Sequence, residues 1–369
     1  MFRIRSFVKR EPVLVISAIA AAVSCLFVPP DINYIGYIDF RTLALLYALM
    51  TVVAGLRKAG VFVSLAHTLC VRAKNTRLIG MILVCLCFFS SMLITNDVAL
   101  LTFVPFSVVV LGMAGRRQDL PRVIVLQTVA ANLGSMLTPV GNPQNLFLYS
   151  YYNMSIGDFL AVTLPVWLLS LILILCGCCF LSKATFHAAL GEEPGVGRGA
   201  LRIYLALFVV CLLTVVRVLD WPIMLLAVVL AVLVFDGRRG LLEADRMLLL
   251  TFVAFFIFAG NLARIEAVDV LLRSLLSGRE YLTALLTSQI ISNVPAAVLL
   301  SGFTTNGKAL LLGVNIGGLG TPIASLASLI SLKLYSQSEG ARMGRFLLEF
   351  MAVNLLLLLL LSAFQAAVQ

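Results

Sequence analysis

Four asparagines interrupt apolar stretches of the chain, where a carboxamide is costly to bury unless it is hydrogen-bonded. They are Asn96, Asn132, Asn293 and Asn315. Each lies beside residues that break helices, and a broken helix leaves free carbonyl groups on one half and free amide groups on the other. Carbonyl and carboxamide oxygens suit a hard cation such as sodium, whereas helix N-termini suit an anion. The pattern favours a site for small ions over helix–helix hydrogen bonding, the simpler alternative.

Asp97 is the one carboxylate that falls deep in an apolar run. An ionised group at the centre of a bilayer costs at least about 2.5–3.5 kcal/mol, so we expect it to be paired, protonated or bound to a cation. The functional interpretation is a sodium or proton site. The structural alternative is an N-cap for a half-helix that begins at Val98, and both can hold together.

The amino-acid composition indicates the class of protein in which these asparagines and Asp97 lie. Of the 369 residues, 61% are hydrophobic and only 12% are charged, and the mean hydropathy is +1.07. Soluble domains carry about 25% charged residues, and disordered chains combine low hydrophobicity with high net charge. Both classes are excluded, and an all-α membrane protein is predicted. The sequence shows no Ser/His/Asp set, zinc-ligand spacing or nucleotide loop. We therefore expect that the protein has no cofactor and is not an enzyme. A membrane enzyme or a structural scaffold is the alternative from a different functional class.

The basic residues predict the topology. Most of the 27 Lys and Arg residues lie in the N-terminal tail and in the connections 57–77, 115–122, 183–202, 236–246 and 333–345. The positive-inside rule assigns these segments to the cytoplasm, which places the N-terminus inside and the C-terminus outside. The net charge of +10 then reflects membrane anchoring and does not indicate a nucleic-acid partner. The run 12–29 is interpreted as an uncleaved first span and not as a signal peptide.

This topology requires two re-entrant helical hairpins, 78–114 and 281–303, beside nine full crossings. Polar residues interrupt each hairpin near its middle, Thr95-Asn96-Asp97 in the first and Ser292-Asn293 in the second. Non-helical backbone inside a membrane is tolerated only where protein or a water-filled cavity surrounds it. We therefore expect both interruptions to lie inside the protein.

The chain also repeats itself weakly. Ala131-Asn132-Leu133-Gly134 followed by Thr138-Pro139 parallels Val314-Asn315-Ile316-Gly317 followed by Thr321-Pro322. We predict an inverted repeat with discontinuous helices. Its first half is 1–182 (hairpin 78–114, broken helix 122–149), its linking loop and span are 183–217, and its second half is 218–369 (hairpin 281–303, broken helix 308–335). Broken helices at matched positions of two inverted halves indicate a transporter with its site near the membrane midplane.

These motifs resemble those of the ion-transporter superfamily that contains divalent-anion:sodium symporters, arsenite/antimonite permeases and related sodium/proton antiporters, with a citrate-transporter-like domain. Thr95-Asn96-Asp97-Val98-Ala99-Leu100 is similar to the hairpin tip of the arsenite permeases, and the segment from Thr321 to Leu329 is similar to their C-terminal motif. Gly141-Asn142-Pro143-Gln144-Asn145 is closer to the other branches. The resemblance implies a homodimer and an elevator-like movement of the hairpin-bearing part.

The resemblance also implies which residues meet the transported ions. Ser-Asn-Thr motifs at the hairpin tips of the symporters correspond by position to Thr95-Asn96-Asp97 and Ser292-Asn293-Val294, and both depart at the third residue. An ionised Asp97 would repel a dicarboxylate, which leaves a smaller anion, a neutral oxyacid or a cation open. The expected substrate-binding residues are Thr95, Asn96, Asn142, Ser292, Asn293, Thr321, Pro322 and Ser325. The residues expected to bind the cation, either sodium or a proton, are Asn96, Asp97, Asn132, Gly134, Asn293, Asn315 and Gly317.

We therefore expect a secondary active transporter of a small anion, oxyanion or carboxylate, coupled to sodium or protons by alternating access. A sodium/proton antiporter of the same fold, with Asp97 as the proton carrier, and an arsenite-type efflux permease are the alternatives. The expected partners are the lipid bilayer, the small-ion substrate and a second copy of the chain. The expected location is a bacterial or archaeal inner membrane, which the protein crosses several times.

Overall fold

The apolar runs fold into helices, because a helix satisfies its backbone hydrogen bonds within the segment. The computed structural model describes residues 11–185 and 195–368. The basic tail and the central part of the predicted linking loop, 186–194, lie outside the described residues. In chain order the helices are α1 (Pro12–Phe27), α2 (Asn33–Tyr37), α3 (Phe40–Lys58), α4 (Val61–Val71), α5 (Thr76–Ile94), α6 (Asn96–Met113), α7 (Leu120–Gly134), α8 (Pro143–Tyr151), α9 (Ile156–Cys179), α10 (Arg198–Val215), α11 (Trp221–Phe235), α12 (Gly237–Leu241), α13 (Arg246–Ala263), α14 (Glu266–Leu276), α15 (Glu280–Ile291), α16 (Asn293–Ser301), α17 (Gly307–Ile316), α18 (Leu326–Ser336) and α19 (Met343–Val368).

Eight helical stretches within the described residues are long and apolar enough to cross a membrane. They are Phe40–Lys58, Thr76–Ile94, Asn96–Met113, Arg117–Leu137, Ile156–Cys179, Arg198–Val215, Arg246–Ala263 and Met343–Val368. Both arms of the first predicted hairpin, α5 and α6, are among them, whereas α15 and α16 have only 12 and 9 residues. The predicted all-α membrane class is confirmed. The re-entrant course of the hairpins, the repeat and the orientation of the termini stay predictions.

Both hairpins break at one residue with a positive φ. Thr95 (φ 67°, ψ 151°) separates α5 from α6, and Ser292 (φ 76°, ψ 155°) separates α15 from α16. Side chains with a Cβ rarely adopt this conformation, which costs on the order of 1–3 kcal/mol and persists only where surrounding contacts hold it. Both breaks fall inside the polar motifs that interrupt the apolar runs of the sequence.

The two discontinuous helices follow matching backbone paths. After α7 the chain passes through Thr138 (φ −122°, ψ 152°), a 3₁₀ turn at Pro139–Gly141 and extended Asn142 before α8 begins. After α17 it passes through Thr321 (φ −72°, ψ 155°), a 3₁₀ turn at Pro322–Ala324 and extended Ser325 before α18 begins. A Thr-Pro pair starts each turn, because proline fixes its own φ and biases the preceding residue towards extended backbone.

Glycines let each discontinuous helix approach the first arm of its hairpin. A Cβ on Gly134 would lie 2.1 Å from the carbonyl oxygen of Phe88, and a Cβ on Gly317 would lie 2.9 Å from the Cα of Leu285. Phe88 and Leu285 each stand seven residues before the hairpin break. The close approach therefore occurs at the same level in both hairpins.

The helices group into two bundles that share an interface. The first contains α1, α3, α10, α11 and α13, which pack on one another. The second contains α5 to α9 and α15 to α19, including both hairpins and both discontinuous helices. Helices α3 and α13 of the first bundle pack against α6, α8 and α16 of the second. The breaks thus belong to one bundle and border the other.

Substituting Gly134 by alanine should destabilise the protein, because the added methyl group meets backbone and no flexible side chain gives way. We expect the free energy of unfolding to fall by about 1–3 kcal/mol or more, measured by thermal unfolding of the detergent-solubilised protein. Gly199→Ala is the matched control, since Gly199 lies in α10 and a Cβ added there would have nothing within 4 Å. Equal stability of the two variants would contradict the close packing of α7 on α5.

Candidate functional site

One buried carboxamide joins the first hairpin to the second discontinuous helix. The Oδ1 atom of Asn132 accepts hydrogen bonds from Asn96 Nδ2 at 3.0 Å and from Ser325 Oγ at 2.9 Å. All three residues are buried. Asn132 is near the end of α7, Asn96 begins α6 and Ser325 precedes α18. Three elements that are far apart in the chain therefore meet at one oxygen atom.

The network continues through the first unwound stretch. Ser135 Oγ donates to the backbone oxygen of Asn132 at 2.9 Å and accepts a hydrogen bond from Asn142 Nδ2. Asn145 Nδ2 donates to the backbone oxygen of Ser135 at 3.3 Å, and Asn145 Oδ1 accepts from Asn315 Nδ2 at 2.7 Å. Asn132 and Asn315, which the sequence repeat pairs, are thus linked through Ser135 and Asn145.

The second hairpin tip borders the same network. Ser292 Oγ donates to the backbone oxygen of Ala324, the residue before Ser325, at 3.4 Å. The carboxamide of Asn293 lies beside the turn after α17, since a Cβ on Gly318 would be 2.9 Å from Asn293 Nδ2. The structure therefore brings together seven of the residues that the sequence predicts for a shared site: Asn96, Asn132, Asn142, Ser292, Asn293, Asn315 and Ser325.

The two hairpin tips make equivalent contacts. Asn96 Oδ1 accepts from the backbone N–H of Asp97 at 2.9 Å, and Asn293 Oδ1 accepts from that of Val294 at 2.9 Å. These bonds satisfy one free amide at each helix start. One lone pair of each asparagine oxygen is therefore used in a hydrogen bond within its own hairpin tip.

Thr321 ties the second discontinuous helix to its hairpin. Its hydroxyl donates to the carbonyl oxygen of Gln289 at 3.1 Å, just as the hydroxyl of Thr138 donates to that of Met92. Met92 and Gln289 each stand three residues before the hairpin break. Thr321 and the neighbouring Pro322 therefore shape the turn, and their contact with a substrate stays a prediction.

The carbonyl oxygens of the two predicted glycine ligands already accept hydrogen bonds. The indole N–H of Trp167 donates to Gly134 O at 3.2 Å, and Gln289 Nε2 donates to Gly317 O at 2.7 Å. A carbonyl oxygen has two lone pairs and can accept more than one partner. Cation binding by Gly134 and Gly317 stays a prediction.

Six buried polar atoms of this region have no hydrogen-bond partner among the described residues. They are Asp97 Oδ1, Asn132 Nδ2, Asn142 Oδ1, Gln144 Nε2, Asn315 Oδ1 and Ser328 Oγ. Buried polar atoms are nearly always paired, so each exception needs an explanation. The neighbouring hydrogen bonds fix how the carboxamides point, because Asn132 Oδ1 accepts two donors and Asn315 Nδ2 donates to Leu311 O and Asn145 Oδ1. The region therefore offers free oxygens and free amide groups side by side.

Helix ends of both polarities converge on these atoms. The N-termini of α6, α8, α16 and α18 begin at Asn96, Pro143, Asn293 and Leu326, while α5, α7, α15 and α17 end beside them. A helix N-terminus carries about half a positive charge and a C-terminus about half a negative charge. The arrangement can stabilise an anion at one point and a cation close by.

Asp97 does not cap α6, which corrects the structural alternative considered for this residue. The helix begins at Asn96, not Val98, and Asp97 lies in its first turn. The reason is the break at Thr95, which starts the helix two residues earlier than the Asp preference for N-caps suggested. A first-turn carboxylate still interacts favourably with the helix dipole.

A cavity of about 190 Å³ opens beside Asp97 at the interface of the two bundles. Thr95, Asp97 and Asn142 line its inner part, and Arg57, Glu243 and Asp245 line it from the first bundle. Glu243 forms an ion pair with Lys58 at 2.7 Å, while no ion pair to Asp97 is found among residues 11–185 and 195–368. The cavity connects Asp97 to charged side chains of connections that the sequence assigns to the cytoplasm.

Sequence reasoning left five contributors out of the candidate site. Ser135 follows α7, Gln144 and Asn145 lie in the first turn of α8, and Ser328 lies in the first turn of α18. Gln289 holds the turn after α17 through its bonds to Gly317, Leu319 and Thr321. The polar character of 141–145 was a usable signal for Gln144 and Asn145. Ser135 contacts the Asn142 side chain, and Gln289 contacts backbone groups after α17, only in the folded chain. The sequence carries no signal for these contacts.

A polar network among broken helices inside an all-helical membrane bundle is the arrangement in which transporters hold their solutes. The chain belongs to the citrate transporter family (CitMHS), whose sequence profile matches residues 6–306. This membership confirms the resemblance to the citrate-transporter-like permeases.

Individual relatives agree with the family. The chain is 36% identical over 294 residues to an uncharacterized transporter of Methanocaldococcus jannaschii, covering 79% of this chain and 80% of the relative. It is 32% identical over 305 residues to the inner membrane protein YbiR of Escherichia coli, covering 80% of each chain. Over 145 residues it is 34% identical to the silicon efflux transporter LSI3 of Oryza sativa, covering 38% of this chain and 29% of the relative. The family and these names indicate a multi-pass membrane transporter rather than an enzyme.

Asn132→Ala should lower the free energy of unfolding by about 1–3 kcal/mol, because the buried donors of Asn96 and Ser325 lose their acceptor. Asn354→Ala is the control, since buried Asn354 donates only to Phe350 O in its own helix and its removal leaves no buried donor unpaired. Thermal or denaturant unfolding in detergent measures both. If the two variants unfold alike, Asn132 does not join the elements as described.

Proposed function

We propose that the protein is a secondary active transporter that moves a small anion, oxyanion or carboxylate together with sodium or protons, and that the network around Asn132 is its binding site. The observation that carries this proposal is the set of unpartnered buried oxygens and amides where the helix ends converge. A resident solute would satisfy these atoms, whereas a purely structural network leaves few polar atoms unpaired.

The oxygens provide for the cation. Asp97 Oδ1, Asn142 Oδ1 and Asn315 Oδ1 are unpartnered within the described chain, and hard cations take carboxylate, carboxamide and backbone oxygens as ligands. Asp97 also supplies the negative charge that a sodium ion or proton needs in a low-dielectric site. Its position beside the cavity of about 190 Å³ gives that cation a route from one side.

The amides provide for the anion. Asn132 Nδ2 and Gln144 Nε2 are unpartnered donors within the described chain, and the N-termini of α6, α8, α16 and α18 add positive partial charge. A bound cation beside Asp97 would cancel the repulsion between that carboxylate and an incoming anion. This dependence is a physical basis for coupling, because each ion then binds better when the other is present.

Two cavities on the bundle interface support alternating access. The cavity beside Asp97 reaches Arg57, Glu243 and Asp245, which the sequence assigns to the cytoplasmic side. A second cavity, of about 400 Å³, is lined by Tyr37, Asp39, Ala263 and Ser301, which the sequence assigns to the outer side. An elevator-like shift of the hairpin-bearing bundle along α3 and α13 would open the network to each side in turn.

The matched geometry of the two halves supports the proposed inverted repeat. Thr95 and Ser292 share one unusual backbone conformation, and the glycine and threonine contacts recur at the same distance from each break. The arms of the second hairpin are about 18 and 14 Å long at 1.5 Å per residue, too short for a hydrocarbon core of about 30 Å. Because its tip borders the same network as the first, we propose that both hairpins are re-entrant and end within the membrane. A homodimer in a bacterial or archaeal inner membrane completes the proposal.

A sodium/proton antiporter is the second candidate, and the unpaired carboxylate of Asp97 is the observation that favours it. A site that binds a proton and a sodium ion in turn needs only the Asp97 carboxylate and neighbouring oxygen atoms. The silicon efflux relative supports a third form of the same proposal, the efflux of a neutral oxyacid such as arsenous or silicic acid. The free amides and oxygens would then bind the hydroxyl groups of that acid.

Flux through proteoliposomes tests the proposal. Purified protein would be assayed for uptake of citrate, phosphate, sulfate, arsenite and silicic acid under an imposed sodium or pH gradient. Asp97→Asn should reduce gradient-driven flux by about tenfold or more, because it removes the negative charge that would hold the coupling cation. Asp220→Asn is the matched control, because Asp220 precedes α11 without a side-chain cap bond. Flux that is unchanged in Asp97→Asn would refute the assignment of the cation site.

The antiporter candidate makes a separate prediction. A sodium gradient should change the pH of the vesicle lumen with no anion present, and reversing the gradient should reverse the direction of the change. Asp97→Asn should abolish this pH change, whereas Asp220→Asn should keep it. A pH-sensitive dye inside the vesicles measures the change. An absolute requirement for an added anion would exclude the antiporter.

A further inference from the structure

A basic pocket lies at the far end of α7 from the ion site. It has a volume of about 520 Å³ and is lined by Arg117, Arg342 and Arg345, with Tyr335 and Glu339. Glu339 is engaged by Arg117 at 2.5 Å. Arg122, which follows Pro121 of the pocket lining in α7, is ten residues from Asn132, or roughly 15 Å along the helix axis. The pocket is therefore separate from the proposed transport site.

An apolar groove continues from this pocket along the membrane-facing side of the bundle. It has a volume of about 460 Å³ and runs between α7, α9 and α19, with Leu126, Leu173, Leu348 and Leu360 among its walls. Arg122 and Glu349 are the charged residues among those that line it, and both stand at the end next to the pocket. From Leu348 to Leu360 the groove follows roughly 18 Å of α19, which is a length suited to an acyl chain.

The mouth of the groove carries an excess of positive charge. Arg122 Nε and Arg345 Nε both approach Glu349 Oε1, at 3.8 and 2.9 Å, so two guanidinium groups share one carboxylate. Arg342 is exposed and forms no ion pair within the described parts of the chain. Guanidinium groups present several N–H donors in a plane that matches a phosphate group.

We propose that this composite feature binds a phospholipid with an anionic headgroup. The phosphate lies against Arg122, Arg342 and Arg345, and one acyl chain fills the groove between α7, α9 and α19. The arginines at the mouth suit an anionic headgroup, and the length of the apolar groove suits an acyl chain, so together they indicate an anionic phospholipid. A free phosphate would leave the groove unused, and a zwitterionic lipid would not satisfy the excess charge. Basic pockets beside membrane helices on the cytoplasmic side are typical sites for such headgroups.

Native mass spectrometry of the full chain in detergent tests this inference without any transport assay. Phosphatidylglycerol and phosphatidylcholine with the same acyl chains would be titrated onto delipidated protein. We expect the wild type to retain phosphatidylglycerol about fivefold or more over phosphatidylcholine. Arg342→Gln should reduce that preference, and Arg122→Gln combined with Arg345→Gln should abolish it.

Two further variants separate the parts of the site. Ala352→Phe places a bulky ring in the groove and should lower binding of both lipids. Arg238→Gln, in the short helix α12, should change the binding of neither lipid. Equal retention of the two lipids, or a preference that survives in Arg342→Gln and in the double variant, would overturn the proposal. Displacement of phosphatidylglycerol by millimolar inorganic phosphate, with no effect of Ala352→Phe, would also overturn it and indicate a free-anion site.

Discussion

The hydrogen bonds accepted by the Asn132 side chain are the contacts on which the site depends. One oxygen atom receives Asn96 from the first hairpin and Ser325 from the second discontinuous helix. Because both donors are buried, neither can turn to water if that oxygen is removed. The positions of the hairpin tip and of the unwound stretch are therefore set relative to each other by a neutral carboxamide and not by an ion pair.

A neutral network has a consequence for transport. Charged groups fixed inside the membrane would bind one ion strongly and release it slowly, and they would cost several kcal/mol to bury. Carboxamides, hydroxyls and helix ends spread partial charges of both signs over the site. Asp97 is the carboxylate next to the network, and Glu243 and Asp245 line the same cavity from the first bundle. Because Asp97 faces this cavity, an ion that enters and leaves can balance its charge.

Strained backbone and close helix contacts at the two hairpins also help to form the polar network. Thr95 and Ser292 hold positive φ values, and Gly134 and Gly317 allow helices to approach at backbone distance. These features cost stability at the breaks, which the surrounding packing of the second bundle offsets. The outcome is a pair of hairpin tips whose first-turn amides point into the protein.

Much of this could be predicted from the sequence. The lack of charge indicates the membrane class, and polar residues next to helix breakers indicate Thr95-Asn96-Asp97, Ser292-Asn293 and the neighbourhoods of Asn132 and Asn315. The start of α6 was predicted two residues too late, because a cap preference does not reveal the conformation of Thr95. Ser135 and Gln289 are not predicted, since the contacts of Ser135 with Asn142 and of Gln289 with the turn after α17 arise only in the folded chain.

Ligand-induced stabilisation tests the central claim most directly, namely that both hairpin tips contribute to one binding site. Purified protein would be screened for a rise in Tm with sodium, lithium, arsenite, sulfate, phosphate and citrate, since a ligand at 100 times its Kd stabilises the folded state by about 2.7 kcal/mol. We expect the effective ligand to lose its Tm shift in both Asn96→Ala and Asn293→Ala, while Asn354→Ala keeps it. A full Tm shift in either hairpin variant would contradict a site shared by the two tips.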